Sequence, residues 1–232
     1  MSLVQYQRTG GHSPRNDELL VIETDGAFTL RRVVGGTRVG EFAGVLPENA
    51  RKAIERSLQD SGLEAPAPPD DRMPPVVFEY VTAEGLSAEL SPEGRIKNKP
   101  LAALVRRLRD LAEDLTAHPA HALECTVATD AKAVHLRSIS SSRATTVRSG
   151  KLTFDLFGEQ EEFLSAGKLD SPFPGSDPTE IPPNWNTKID LPADLAFTPK
   201  CTLQVRFTFA MQYADGIWRD AQITAVAGKG WF

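Results

Sequence analysis

Between Asn98 and Leu115, apolar residues recur at steps of three and four. Leu101, Leu104, Val105, Leu108, Leu111, Ala112 and Leu115 fall on one stripe of an α-helix. Pro100 suits the first turn, and Asn98 or Lys99 can cap it. At about 1.5–3 kcal/mol per buried leucine, such a stripe is not left in water, so the helix is expected to pack on a sheet. Elsewhere in the first half the pattern has period two. Leu3 to Thr9 reads as a strand closed by Gly10-Gly11, and His12 to Asp17 is a polar loop. Leu19–Glu23 and Phe28–Val34 are apolar-rich runs joined by Thr24-Asp25-Gly26-Ala27, a hairpin signal. Gly35-Gly36 reads as a second turn leading to a strand from Thr37 to about Ala43. Pro47 then starts a helix with Ala50, Ala53, Ile54 and Leu58 on one face, ending near Gly62.

Leu63 to Pro75 carries five prolines and reads as a stiff connector. The pattern then restarts: strand Val76–Thr82, turn Ala83-Glu84-Gly85, strand Leu86–Leu90, turn Ser91–Gly94, and the 98–115 helix. The stretches Val21–Thr29 and Phe78–Ser87 each end a β-run in an acidic-Gly turn. This reads as a weak internal repeat of sheet-then-helix units, and convergent hairpin chemistry explains it almost as well. Either way an antiparallel sheet with two helices on one face is expected, an α+β layer.

Helical patterns stop at Thr116–His121, which marks the expected domain boundary. Leu123–Thr129, Ala133–Ile139, Ala144–Val147, Leu152–Phe157, Thr202–Tyr213 and Trp218–Val226 read as short strands, the last two joined by a second Asp-Gly turn at Asp215-Gly216. Short strands separated by turns suggest a β-sandwich. Gly167 to Pro199, rich in proline and aspartate, reads as a surface loop over one end of it, too polar for core. The expected organisation is an α+β domain over 1–116 and an all-β sandwich over 117–232.

Composition changes this picture little. The 232 residues carry a formal charge of −5 without long runs of one sign, which gives no nucleic-acid footprint. Met1 to Arg8 has no apolar h-region, and no window approaches 18 apolar residues, so a soluble cytoplasmic protein without membrane contact is expected. Cys125 and Cys201 are too few for a disulfide framework and too far apart for a metal knuckle; both lie in apolar runs, as buried thiols do. In a sandwich they can face one another between the sheets.

No Gly-x-Ser-x-Gly frame presents a nucleophile. His118 and His121 flank Pro119, so a solvated boundary loop is expected rather than a metal pair, and no cofactor or metal is expected. Asp70-Asp71 and Glu159, Glu161 and Glu162 lack calcium-loop spacing and read as solvated faces. Arg31-Arg32, Arg106-Arg107 and Arg109 are expected to ion-pair along exposed surfaces with neighbours such as Asp110, Glu113 and Asp114.

Tyr6-Gln7-Arg8-Thr9-Gly10-Gly11, a loop, and then Glu18 through Arg32 resemble the emfourin family of small bacterial proteins. The resemblance extends through the helix after Leu46 to the Phe78–Val81 strand and the Pro100–Leu115 helix, about residues 3–115. Where family members continue Gly-Gly with Phe-Ala-Gly, this chain has His12-Ser13-Pro14. The family's prototype inhibits thermolysin-like zinc metallopeptidases. The resemblance therefore implies a non-catalytic binding module, with a zinc metallopeptidase as the implied protein partner.

The candidate contact residues are Gly10, Gly11, His12, Ser13, Gly35 and Gly36 at hairpin ends. The alternative is a structural adaptor in a larger assembly, using the 167–199 loop and the aromatic residues Trp185, Trp231 and Phe232. A third reading stacks a sugar on Trp185 or Trp218.

Overall fold

A computed structural model describes residues 1–10, 16–63, 78–90, 98–140 and 144–228. The expected strand start at Val76-Val77, the turn at Ser91–Gly94 and the connector beyond Leu63 lie outside these residues. The chain is a β-rich α+β fold. Its internal contacts divide it into two compact units, one formed by Met1–Arg32 and Glu41–His118, the other by Val33–Gly40 and Pro119–Phe232.

The first unit is built on a sheet of β1 (Ser2–Gly10), β2 (Asn16–Glu23), β3 (Ala27–Arg32), the Glu41–Val45 part of β5 (Arg38–Val45), β6 (Phe78–Ala83) and β7 (Leu86–Leu90). Their spatial order is β5-β3-β2-β1-β6-β7. The Asp-Gly hairpin forms as its sequence dictates: Gly26 has φ +90°, its N–H donates to Glu23 O at 2.9 Å, and Asp25 Oδ1 accepts from Ala27 N–H. Period two sends Val4, Tyr6, Leu20, Ile22, Phe28, Leu30 and Val81 to one buried face.

Helices α1 (Glu48–Asp60) and α2 (Lys99–Leu115) cover that face. Asn98 caps α2, its Oδ1 accepting from Leu101 N–H at 3.0 Å. Of the α2 stripe, Leu101, Leu104, Val105, Leu108, Ala112 and Leu115 are buried, and Leu111 sits at its half-exposed margin. In α1 only Ile54 is fully buried; Ala50, Ala53 and Leu58 are half-buried.

The second unit packs two sheets around one core. One has the order β11-β10-β14-β15-β4, with β12 also on β10; the other is β13-β9-β8. The strands are β4 (Val34–Gly35), β8 (Pro119–Val127), β9 (Ala133–Ser138), β10 (Thr145–Phe157), β11 (Phe163–Leu169), β12 (Thr179–Ile181), β13 (Asn186–Asp190), β14 (Thr202–Gln212) and β15 (Trp218–Gly228). Phe207 and Phe209 stack at 4.5 Å in a core that also takes in Val33 and Val39 from the early segment.

Four expectations are corrected here. Gly35-Gly36 is not a hairpin turn, because Gly35 belongs to β4, which runs parallel to β15 with Gln222 N–H donating to Val33 O and Thr224 N–H to Gly36 O. A glycine pair reads as a turn when its partner strand lies far along the chain. The two strands expected at 144–147 and 152–157 are one strand, β10, whose ladder to β14 shifts register between Arg148 and Lys151. Gly167–Pro199 is not a loop too polar for core: it holds the end of β11, all of β12 and β13, and the buried Phe173, Ile181 and Leu191. Its apolar anchors are spaced too widely to show a period. His121 is not in a solvated loop but in β8, buried, with Nε2 3.3 Å from Gln212 O.

Candidate functional site

The first unit concentrates its buried charge at one end of the sheet, beside the hairpin that joins β1 to β2. That hairpin stays in register up to the Gly10–Asn16 pair, and Gly10 takes φ +108° there. Register then places Arg32, Glu18, Arg8 and Glu79 in one row across β3, β2, β1 and β6. Charge alternates along the row, as cross-strand pairing favours. All four occupy the phase that sends Leu20, Leu30, Tyr6 and Val81 inward.

Helix α2 closes the row from above. Glu18 and Arg32 are each 3% exposed, and Arg32 Nε donates to Glu18 Oε2 at 2.5 Å. Arg32 Nη1 donates to Glu113 Oε2 of α2 at 2.7 Å. Glu79, fully buried, accepts from Tyr6 Oη at 2.7 Å and from Arg109 of α2, whose Nη2 lies 2.7 Å from both carboxylate oxygens. Burial raises the Glu18 carboxyl above its ordinary range; Arg32 offsets this in part, and Glu18 Oε1 has no hydrogen-bond partner among the described residues. Burial and then the Glu79 carboxylate hold the Tyr6 phenol well above its usual value. The hydrogen bonds to Glu79 raise Arg109 further.

On the opposite face of the same hairpin, Arg31 Nη2 donates to Asp17 Oδ2 at 3.2 Å. Ion pairs on both faces therefore tie the β2 side of the hairpin base to the end of β3.

Exposed-face ion pairing, expected for the arginines, is corrected for Arg32 and Arg109, which reach from strand and helix into the buried row. Glu18, Glu79 and Tyr6 were not singled out by sequence. The available signal was phase: in Glu18-x-Leu20-x-Ile22 and Glu79-x-Val81-x-Ala83 the carboxylate sits in register with inward positions.

Gly10 closes β1, Gly35 and Gly36 lie with the second unit, and Gly11, His12, Ser13, Trp231 and Phe232 fall outside the described residues. Trp185 is half-buried and tilts on Phe173 at 5.2 Å, packed against the second unit's core. Trp218 lies under the Arg148 guanidinium, 4.3 Å from the ring centroid. Cys125 and Cys201 are free, buried thiols of one core, and burial pushes Cys125 up to about 12. Among the described residues no three His, Cys, Asp or Glu side chains gather as a metal site, and no helix is long and apolar enough to cross a membrane.

A second ion cluster lies within the second unit. Glu124 of β8, nearly buried, accepts from Arg38 Nε at 2.7 Å and from Arg137 Nε. Burial alone would raise this carboxyl, but the bonds from the two arginines outweigh it and hold it below the ordinary value of 4.5. A depressed carboxyl contributes stability that is fully present above its unfolded-state value and is lost as pH falls through the folded one. The tryptophan-fluorescence unfolding midpoint is therefore expected to drop as pH falls below about 4.5. Glu124→Gln should make that drop shallower, and an unchanged slope in the variant would assign the acid sensitivity elsewhere.

These features define a β-rich α+β chain whose most elaborated polar cluster sits beneath a clamped hairpin. No family model and no curated protein matches the sequence.

Proposed function

We propose that the protein is a non-catalytic binding module that works in the cytoplasm, its two compact units acting as an α+β domain and a β-sandwich domain. The β1–β2 hairpin end of the first is its partner-facing element. The observation that carries this reading is the double clamp at the hairpin base, Glu18–Arg32 on the helix side and Asp17–Arg31 on the other. A strand held on both faces needs no ordering of its own when a partner binds beside it. The emfourin-like residues 6–11 and 18–32 occupy this same hairpin and its neighbour. They support a thermolysin-like zinc metallopeptidase as the partner, with the hairpin end entering its cleft.

The test is to titrate the pure protein into a thermolysin-like peptidase and follow peptide hydrolysis. Inhibition at micromolar protein is expected. Replacing Asp17 and Arg31 together by alanine should weaken it about five- to tenfold with the unfolding midpoint little changed. Unchanged hydrolysis at micromolar protein would remove the metallopeptidase as partner. An adaptor role in a larger assembly is the second reading, favoured by Phe163 and Leu164, which stand 62% and 47% exposed.

A further inference from the structure

A concave surface lies at the other end of β1 from the β1–β2 hairpin. There the start of β1, the end of α1 and the β6–β7 turn border a cavity of about 460 Å³, within the range of about 300–1,000 Å³ usual for ligand sites. All of it belongs to the first unit. Leu3, Leu58, Leu63 and Leu86 form its apolar wall, the first three half-buried and Leu86 39% exposed. Glu55 and Glu84 supply its charge, and among the described residues neither lysine nor arginine lines it. Glu55 is paired with Arg51. Glu84 stands exposed in the turn between β6 and β7, at φ +50°, and makes no ion pair or hydrogen bond among the described residues. The end of α1 adds to this negative field. The helix stops at Asp60 with no basic residue in its last turn, so the negative end of its macrodipole meets no cation of its own. Arg107 of α2 does reach Ser57, its Nη1 donating to Oγ at 2.6 Å, but both of these residues line a separate groove between the two helices and neither lines this one.

We propose that this cavity docks a partner polypeptide through a lysine or arginine flanked by apolar side chains. The leucine wall takes the apolar groups and the hydrocarbon stem of the cation, while Glu84 and the end of α1 take its charge. An acidic segment of the same shape would bring like charges together there, so charge selects the basic one. The open rim selects a polypeptide side chain over a free small molecule: Gln59, Gly62 and Glu84 are all exposed, whereas small-molecule sites bury most of their ligand's surface. This surface shares no residue with the β1–β2 hairpin end, and the proposal stands apart from the metallopeptidase reading.

Methyl NMR spectra of the full chain, titrated with acetyl-Leu-Lys-Leu-amide to roughly 10 mM, test this. The Leu3, Leu58, Leu63 and Leu86 resonances are expected to move together and to saturate. Acetyl-Leu-Glu-Leu-amide should leave them in place. Glu84→Gln should weaken binding of the basic peptide about threefold, and Glu84→Lys should weaken it further. Both variants should keep the parent's melting temperature, because the side chain is exposed. The absence of saturable movement, equal binding of the acidic peptide, or parental affinity in Glu84→Lys would each overturn the proposal.

Discussion

Replacing Glu18 with alanine is expected to remove about 3–5 kcal/mol from the stability of the first unit. The substitution deletes little apolar surface. It leaves Arg32, 3% exposed, with a buried guanidinium whose other carboxylate, Glu113, is itself mostly in water. A buried cation without its close counter-ion costs far more than the net value of the pair. Replacing Glu18 and Arg32 together by leucine removes both charges, and should cost less than the single change. That ordering distinguishes orphaned charge from a cavity, which would make the double substitution worse.

The measurement can be confined to one unit. Both described helices belong to the first unit, whereas the described tryptophans, Trp185 and Trp218, belong to the second. The helical circular-dichroism transition should therefore move while the tryptophan-fluorescence transition stays. Equal movement of both signals would show that the two units do not unfold independently. Glu18 also gives the opposite pH sign to Glu124. Its folded-state carboxyl is raised, so its contribution to stability declines as pH rises from the ordinary carboxylate range through the folded value.

Gly40→Ala is expected to destabilise the second unit by at least about 3 kcal/mol. Gly40 has φ +133°, a conformation that L side chains rarely adopt. An added Cβ would stand 2.3 Å from His121 O and 2.6 Å from Ala122 Cα. Both are backbone atoms of β8 and cannot swing aside as a side-chain tip can. Gly36 is the control: among the described residues nothing lies within 4 Å of the point its Cβ would occupy and its φ is not in the left-handed region, so Gly36→Ala should be neutral or stabilise by up to about 1 kcal/mol. Here the tryptophan-fluorescence transition is the one expected to shift. If Gly40→Ala melted like the parent, the close approach of 37–40 to β8 would be wrong.

The parts of this fold that were legible in sequence were those with a local cause. Asn98, Pro100 and the 101–115 stripe fixed α2 to within a residue, and the Asp25-Gly26 and Asp215-Gly216 turns placed two hairpins. Long-range pairing was not legible. Nothing within several residues of Gly35 tells that it lies beside Ile223. Phe173, Ile181 and Leu191 are separated by eight and ten residues among prolines and aspartates, so no window revealed them as core.

Of the candidate site, the two strands of the hairpin were legible from the period-two runs at Leu3–Thr9 and Leu19–Glu23. The charge row beneath it was not. Arg109 and Glu113 look like ordinary polar-face helix residues, since their partners Glu79 and Arg32 come from strands distant in sequence. Only the phase of Glu18 and Glu79 within their strands distinguished them from surface carboxylates.

The segment Val33–Gly40 also sets the order in which the chain can mature. It is synthesised early, yet its parallel partner β15 is the last described strand. As the chain emerges, the first unit can gather its own strands and helices while this segment, with Val33 and Val39, waits for a core that does not yet exist. Completion of the second unit is thus governed by a loop closure spanning most of the polypeptide, the kind of step that makes folding slow.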